Sequence, residues 1–207
     1  MTKVIAIDGP AAAGKGTLAQ SMAAKLDFAY LDTGSLYRAV GIKARLANSL
    51  DDATKIAQNL KPEDLTHTSL RSAETGELAS QVAAQQGVRG ALYDFQRTFG
   101  LNPPDRKAGA ILDGRDIGTK IFPEADLKLF VTARAEVRAR RRHEQLNSPS
   151  TPTIDDLLLQ VRRRDARDAS RSEAPMEVAP DSYMIDTSDM DAPSVLNLAL
   201  SIWRDSL

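Results

Sequence analysis

Nine consecutive residues constrain this chain more than anything else in it. Gly9-Pro10-Ala11-Ala12-Ala13-Gly14-Lys15-Gly16-Thr17 follows the apolar run Val4-Ile5-Ala6-Ile7 and opens a segment in which Leu18, Met22 and Leu26 recur at four-residue spacing. Strand, glycine-bounded loop, lysine and helix in that order form a phosphate-binding loop. Gly9 and Gly14 allow torsions that other residues resist and let the backbone come close to a ligand. The loop N–H groups can then converge on an anion, and the helix that starts near Gly16 adds its positive end. Lys15 supplies a mobile charge for the outer phosphates, and Thr17 a hydroxyl for Mg²⁺. A plain Gly/Ala-rich helix cap would need neither the lysine nor the preceding strand.

The remaining chain alternates in the same way. Apolar runs at 28–31, 108–112, 128–131 and 182–186 read as further strands. Helical periodicity covers 17–26, 36–47, 51–60, 77–86, 88–99, 135–146, 154–171 and 193–203, with a break near Gly87. Such alternation predicts an α/β fold with a largely parallel sheet. Residues 61–76 are polar and carry no clear pattern, 102–105 form a loop, and the Pro/Ser stretch 147–153 reads as a mobile flap. The length of 207 residues and a hydrophobic content of 42% suit one globular domain. No apolar run reaches the ~18 residues of a membrane span, and the amino terminus leads straight into a strand, so no signal peptide is expected. The absence of cysteine excludes disulfides, thiolate catalysis and Cys-ligated metals, and fits a cytoplasmic protein. His67 and His143, the only histidines, read as surface residues, and Trp203 with Leu198, Leu200 and Ile202 as packing of the last helix.

Acids and arginines add a second layer. Asp113 closes the apolar run Ala110-Ile111-Leu112, where an acid can hold Mg²⁺ beside bound phosphates. The segments Asp32-Thr33-Gly34-Ser35-Leu36-Tyr37-Arg38 and Asp113-Gly114-Arg115-Asp116-Ile117-Gly118-Thr119 both leave the carboxyl ends of strands, where open α/β sheets place ligands. Each brings one arginine, Arg38 or Arg115, which points to a second anion site. Ten of the eighteen arginines lie between Arg134 and Arg171, against six acids, so that stretch carries +4 in a chain of net charge −1. Arg164, Asp168 and Arg171 fall on one helical face there, and Arg138, Arg141 and Arg142 on another. Alone, such helices are most often solvated surfaces with ion pairs. Beside a phosphate loop they suggest a flap that closes over a triphosphate, with Arg142 on the nucleotide. Near-zero net charge and 5% aromatics argue against a nucleic-acid-binding module, which would show steeply salt-dependent binding.

Taken together, GPAAAGKGT, LDTGSLYR, ASQVAA with a following VR, DGRDIGT and RRRDARDASR resemble bacterial cytidylate kinase from Val4 to about Asp186. Adenylate, guanylate and shikimate kinases share only the phosphate loop. The resemblance implies a P-loop NTPase-type three-layer sandwich around a central parallel sheet of about five strands. It implies a core at 1–37, 100–145 and 172–207, a nucleoside-monophosphate-binding insertion at about 38–99 and a lid at about 146–171. It also implies transfer of the γ-phosphoryl group of Mg-ATP to CMP or dCMP, with weaker use of UMP, by a cytoplasmic monomer. By position, Thr33, Tyr37 and Arg38 would hold the acceptor, with Arg38, Arg115 and Arg171 at its phosphate. Ser80, Arg89 and Asp116 would read cytosine, and Arg164 and Asp168 would lie near the ribose. An aspartate can accept from the exocyclic amine of cytosine but meets a carbonyl on uracil. The acceptor phosphate is already mostly ionised at pH 7, its second pKa being about 6, so no strong base is required, and no histidine stands near any motif. Lys15 and the three phosphate-directed arginines would then act by charge neutralisation. The inserted small sheet of the longer bacterial enzymes is expected to be trimmed here, because about 60–77 is too short and polar for three strands. Two alternatives are a kinase for another monophosphate such as UMP or AMP, and an ATP-binding switch acting through a protein partner.

Overall fold

The computed structural model describes residues 2–66, 70, 72–146, 152–171 and 174–207. Five short strands, β1 (Lys3–Asp8), β2 (Ala29–Asp32), β3 (Gly109–Asp113), β4 (Leu127–Thr132) and β5 (Tyr183–Asp186), form one sheet in the order β2-β3-β1-β4-β5. The pairs β1/β3, β1/β4 and β4/β5 run parallel, with Ile5 opposite both Ile111 and Leu127, and Val131 opposite Ile185. Every residue of β3 is buried, the pattern of a strand covered on both faces. The expected α/β class and five-stranded parallel sheet are therefore present. Because β1 lies between β3 and β4, the last residues of these strands, Asp8, Asp113 and Thr132, share the carboxyl edge of the sheet.

Among the described residues, eight α-helices accompany the strands: α1 (Lys15–Leu26), α2 (Thr33–Leu46), α3 (Ala53–Gln58), α4 (Ala73–Val82), α5 (Gln86–Leu101), α6 (Ala135–Leu146), α7 (Ile154–Ala169) and α8 (Ala192–Asp205). The chain divides into two compact units, one of residues 1–31 and 98–207, the other of residues 32–97. In the first, Ile5, Ile7, Ile111, Leu129 and Ile185 of the sheet pack with Leu18 and Met22 of α1 and Trp203 of α8. Each such side chain contributes about 1.5–3 kcal/mol by burial. Trp203 meets Phe28 edge to face at 5.9 Å, as core packing requires, whereas Leu198 on the same helix faces solvent. No helix among the described residues is long and apolar enough to cross a membrane.

The second unit is helical. A Cβ on Gly41 of α2 would lie 2.8 Å from Leu78 Cβ, so the missing side chain sets how closely α2 and α4 approach. Ala39 and Ile42 bury with Leu70 in a small cluster. Ser72 caps α4 by accepting a 3.1 Å hydrogen bond from Thr75 N–H. The segment without a clear pattern holds a 3₁₀ turn at Pro62–Thr66 and the start of α4. Among the described residues, no strand occurs between Thr33 and Arg97.

Several element boundaries differ from expectation. The break between α4 and α5 falls at 83–85, and Gly87 sits inside the first turn of α5, where a Cβ would run into the Thr54 hydroxyl. There the glycine serves a close approach rather than a break. Both α1 and α2 begin earlier than their periodicity suggests, at Lys15 and Thr33. α7 stops at Ala169, so Arg171 lies beyond the helix. His143 is half-buried in α6, while His67 and residues 147–151 of the expected flap lie outside the described residues. A wide π-type turn at Ile117–Ile121 had no counterpart in the sequence pattern.

Candidate active site

The phosphate loop adopts its shape because of two glycines with different reasons. Gly9 has φ +136°, and a Cβ there would run into the carbonyl oxygen of Val131 on β4. Gly14 has φ +95° with nothing near a would-be Cβ, so its torsion alone demands glycine. Gly14 caps α1, which starts at Lys15 and points its amino-terminal N–H groups into the loop. Pro10, Ala11, Ala12 and Ala13 complete the loop, with Ala12 itself in the left-handed region at φ +60°. Lys15 is buried, and its Nζ donates to the Pro10 carbonyl at 2.8 Å and stands 3.8 Å from Asp113 Oδ1. The other carboxylate oxygen, Asp113 Oδ2, lies 3.3 Å from where a Cβ on Gly16 would be, one residue before Thr17.

The turn after β3 is fastened to the end of β1. Gly114 N–H donates to the Ile7 carbonyl at 2.9 Å. Ile117 and Gly118 N–H donate to the two carboxylate oxygens of Asp8 at 2.8 and 2.7 Å. Between these anchors stand Arg115 and the buried Asp116. Burial pushes the Asp8 carboxyl up to about 7, against the pull of its two N–H donors.

Arg115 Nε reaches Asp168 Oδ2 at 3.1 Å, Arg164 Nε stands 3.9 Å from the same oxygen, and Arg171 pairs with Oδ1. The side chain of Asp168 is 2% exposed. Burial alone would raise its carboxyl; Arg115, Arg171 and Arg164 outweigh that and hold it below the usual range. Three guanidiniums around one carboxylate leave net positive charge, the electrostatics of an anion site. Arg171 joins this cluster from just past α7, not from the helical face the spacing suggested.

Two arginines of α6 do something other than face a triphosphate. Buried Arg138 donates to the Ala133 carbonyl at 2.8 Å and the Ala11 carbonyl at 3.4 Å, and forks onto Asp165 of α7 at 3.0 and 2.6 Å. Arg141 donates to the Thr187 hydroxyl and carbonyl at 2.9 and 2.7 Å, and that hydroxyl donates to the Ala13 carbonyl at 2.9 Å. A buried guanidinium must find acceptors, and Arg138 finds them in Asp165, the Ala133 carbonyl and, from the phosphate loop, the Ala11 carbonyl. A cleft of about 530 Å³ adjoins the loop, lined by Ala12, Gly14, Leu18, Arg141, Met190 and Val195 among others. Arg142 is not in that lining, and its Nη1 lies 3.5 Å from Gln145 of its own helix.

In the second unit, Arg38 pairs with Asp32 at 3.0 Å. Thr33 and Ser80 are buried, while Tyr37 and Arg89 are half-buried. Burial of Ser80 sets it apart from an ordinary polar residue on a helix surface. Sequence reasoning had not singled out Asp8 or Thr187. The available signals were an acid at the strand end just before Gly9, and a hydroxyl just past the last strand, where α/β sheets gather ligands.

The family model for cytidylate kinase matches residues 5–205. A cytidylate kinase of Paramagnetospirillum magneticum is 51% identical over 98% of both chains, and one of Rhodospirillum rubrum is 50% identical over 96% of both. The shikimate kinase of Acinetobacter baumannii, solved in complex with shikimate, shares the fold at a TM-score of 0.50 and 17% identity, over 98% of this chain and 93% of that one. The family model over residues 5–205 and relatives about half identical over nearly the whole chain place this protein, with its phosphate loop, strand-end aspartate and arginine cluster, in the cytidylate kinase family.

Proposed function

We propose that this member of the cytidylate kinase family phosphorylates CMP and dCMP by direct transfer from ATP, with the residues below in the stated roles. A phosphate oxygen of the acceptor attacks the γ-phosphorus of ATP. The bond from that phosphorus to the bridging oxygen breaks, and its electron pair leaves with ADP. Lys15 and the loop N–H groups of Gly9 to Thr17 hold the donor phosphates, and the cleft beside Ala12 and Val195 accommodates the adenosine. Arg142 acts on the donor nucleotide from α6. Arg38, Arg115 and Arg171 neutralise the acceptor phosphate, and Thr33 and Tyr37 orient it. Ser80, Arg89 and Asp116 read the cytosine, and Arg164 and Asp168 the ribose. Thr17 and Asp113 offer hard oxygen ligands at the loop mouth and would hold Mg²⁺, which supplies further positive charge to the phosphates. Among the described residues no group of three or more histidines and acids gathers that could hold a metal alone, so phosphate and water would complete the shell. The protein works as a cytoplasmic monomer on small molecules, with no nucleic acid or membrane partner.

The observation that carries this reading is the arginine cluster on Asp168 in the same unit as the phosphate loop. A switch that only bound and hydrolysed ATP would need no second anion site. The test is ADP release from Mg-ATP with CMP, dCMP, UMP, AMP or GMP as acceptor. Release that depends on CMP or dCMP, well above UMP and AMP, is expected. Release indifferent to every acceptor would overturn the reading.

A further inference from the structure

We infer that Asp8 is a positioning residue for CMP recognition: its carboxylate clamps the turn bearing Arg115 and Asp116 onto the end of the central strand. The inference rests on the reading that those two residues touch CMP. The geometry is a staple with two feet. Upstream of the pair, Gly114 N–H is held by the Ile7 carbonyl at 2.9 Å. Downstream, Ile117 and Gly118 N–H are held by Asp8 Oδ1 and Oδ2 at 2.8 and 2.7 Å. Arg115 and Asp116 are the only residues between the feet, so the position of both side chains depends on them.

The turn needs such a hold. Ile121 N–H donates to the Asp116 carbonyl and Phe122 N–H to the Ile117 carbonyl, a wide five-residue spacing that short segments rarely keep unaided. A carboxylate suits the task because both its oxygens accept. An amide of the same shape would accept one N–H and set its own NH₂ against the other. Few other charges act on Asp8. Lys15 favours its ionised form from the loop, and Asp116 opposes it from the turn. Lys128 of β4 packs its stem at Gly118 but turns its ammonium to the Pro123 carbonyl and Asp181. A carboxylate buried this deeply, with no bonded cation among the described residues, is costly, and retaining one is explained by the turn it holds. Burial pushes its carboxyl up to about 7, so pH 8 lies on the ionised side of its titration.

Steady-state kinetics at pH 8, varying CMP, UMP and ATP separately, test the clamp in Asp8→Asn beside Arg115→Ala and Asp116→Ala. Asp8→Asn is expected to raise KM for CMP roughly ten- to hundredfold while KM for ATP stays within about twofold. It should also narrow the preference for CMP over UMP, as Asp116→Ala does. A variant that merely loosened the fold would shift both nucleotides together, and that outcome, or an unchanged KM for CMP, overturns the inference. Should Arg115→Ala and Asp116→Ala themselves leave CMP untouched, the reading of the turn fails and the clamp's role falls with it. If those two respond and Asp8→Asn does not, only the clamp fails. Should Asp8→Asn not fold, Gly118→Ala takes its place, since its Cβ would press on Lys128 at 3.1 Å and on Asp8 Oδ2 at 3.4 Å. A smaller shift of the same sign, confined to CMP, is then expected, and its absence counts against the clamp.

Discussion

At the scale of single residues, the phosphate loop separates torsion, packing and charge. Lys15 acts through charge that develops on the transferred phosphoryl group. Lys15→Ala should lower kcat by about 10²–10³ while the circular dichroism spectrum stays native. Unchanged turnover would remove Lys15 from the mechanism. Gly9 acts through packing against Val131, compounded by its torsion. Gly9→Ala should therefore destabilise the fold by at least ~2 kcal/mol, read from denaturant midpoints, whereas Gly14→Ala meets torsional strain alone and should cost about 1–2 kcal/mol. Lys15 and both glycines were legible in the sequence because their context is contiguous. Asp8 was not, since its partners lie 109 and 110 positions away and are backbone groups that leave no trace in residue type. Arg138 was legible as a cation near a phosphate site but not as a brace, because its acceptors include the Ala11 carbonyl 127 positions away.

At the scale of elements, α6 and α7 carry nearly all the arginines of the basic stretch, yet one buried fork joins them. The Arg138 side chain is 6% exposed and that of Asp165 27%, so this pair is little screened compared with Arg162–Glu136, which is exposed at both ends. Arg138→Ala would strand Asp165 and remove a donor from two carbonyls. It should cost about 3 kcal/mol, and a double-mutant cycle with Asp165→Asn should return at least ~1 kcal/mol of coupling. Arg162→Ala should stay within about 0.5 kcal/mol. Equal costs for the two arginines would contradict the brace. Element identity was readable wherever apolar periodicity ran for three turns, as in α5 and α8. It was unreadable in the π-type turn, because a five-residue turn whose first two N–H groups are held by the distant Asp8 presents no period at all. The polar segment ahead of α4 likewise hides a helix start that depends on the Ser72 cap.

At the scale of the whole molecule, two buried carboxylates set opposite pH slopes on stability. Asp168 has a depressed folded pKa, so the stability it contributes is present above the ordinary aspartate range and is lost as pH falls through its folded value. Asp8 is the reverse. Its folded pKa of about 7 exceeds the ordinary 3.8, so its relative contribution is fully present below 3.8 and disappears as pH rises through 7. Across that window the difference amounts to on the order of 4 kcal/mol. Wild type should therefore lose, between pH 5 and 8, stability that Asp8→Asn keeps. Denaturant unfolding of both proteins at those two pH values should show the difference moving in favour of the variant by roughly 2–3 kcal/mol. A difference that does not move with pH would mean that Asp8 is already ionised in the fold at pH 5. The variant gaining stability at pH 8 while losing affinity for CMP would show one buried charge held against the stability of the fold for the sake of the turn it positions.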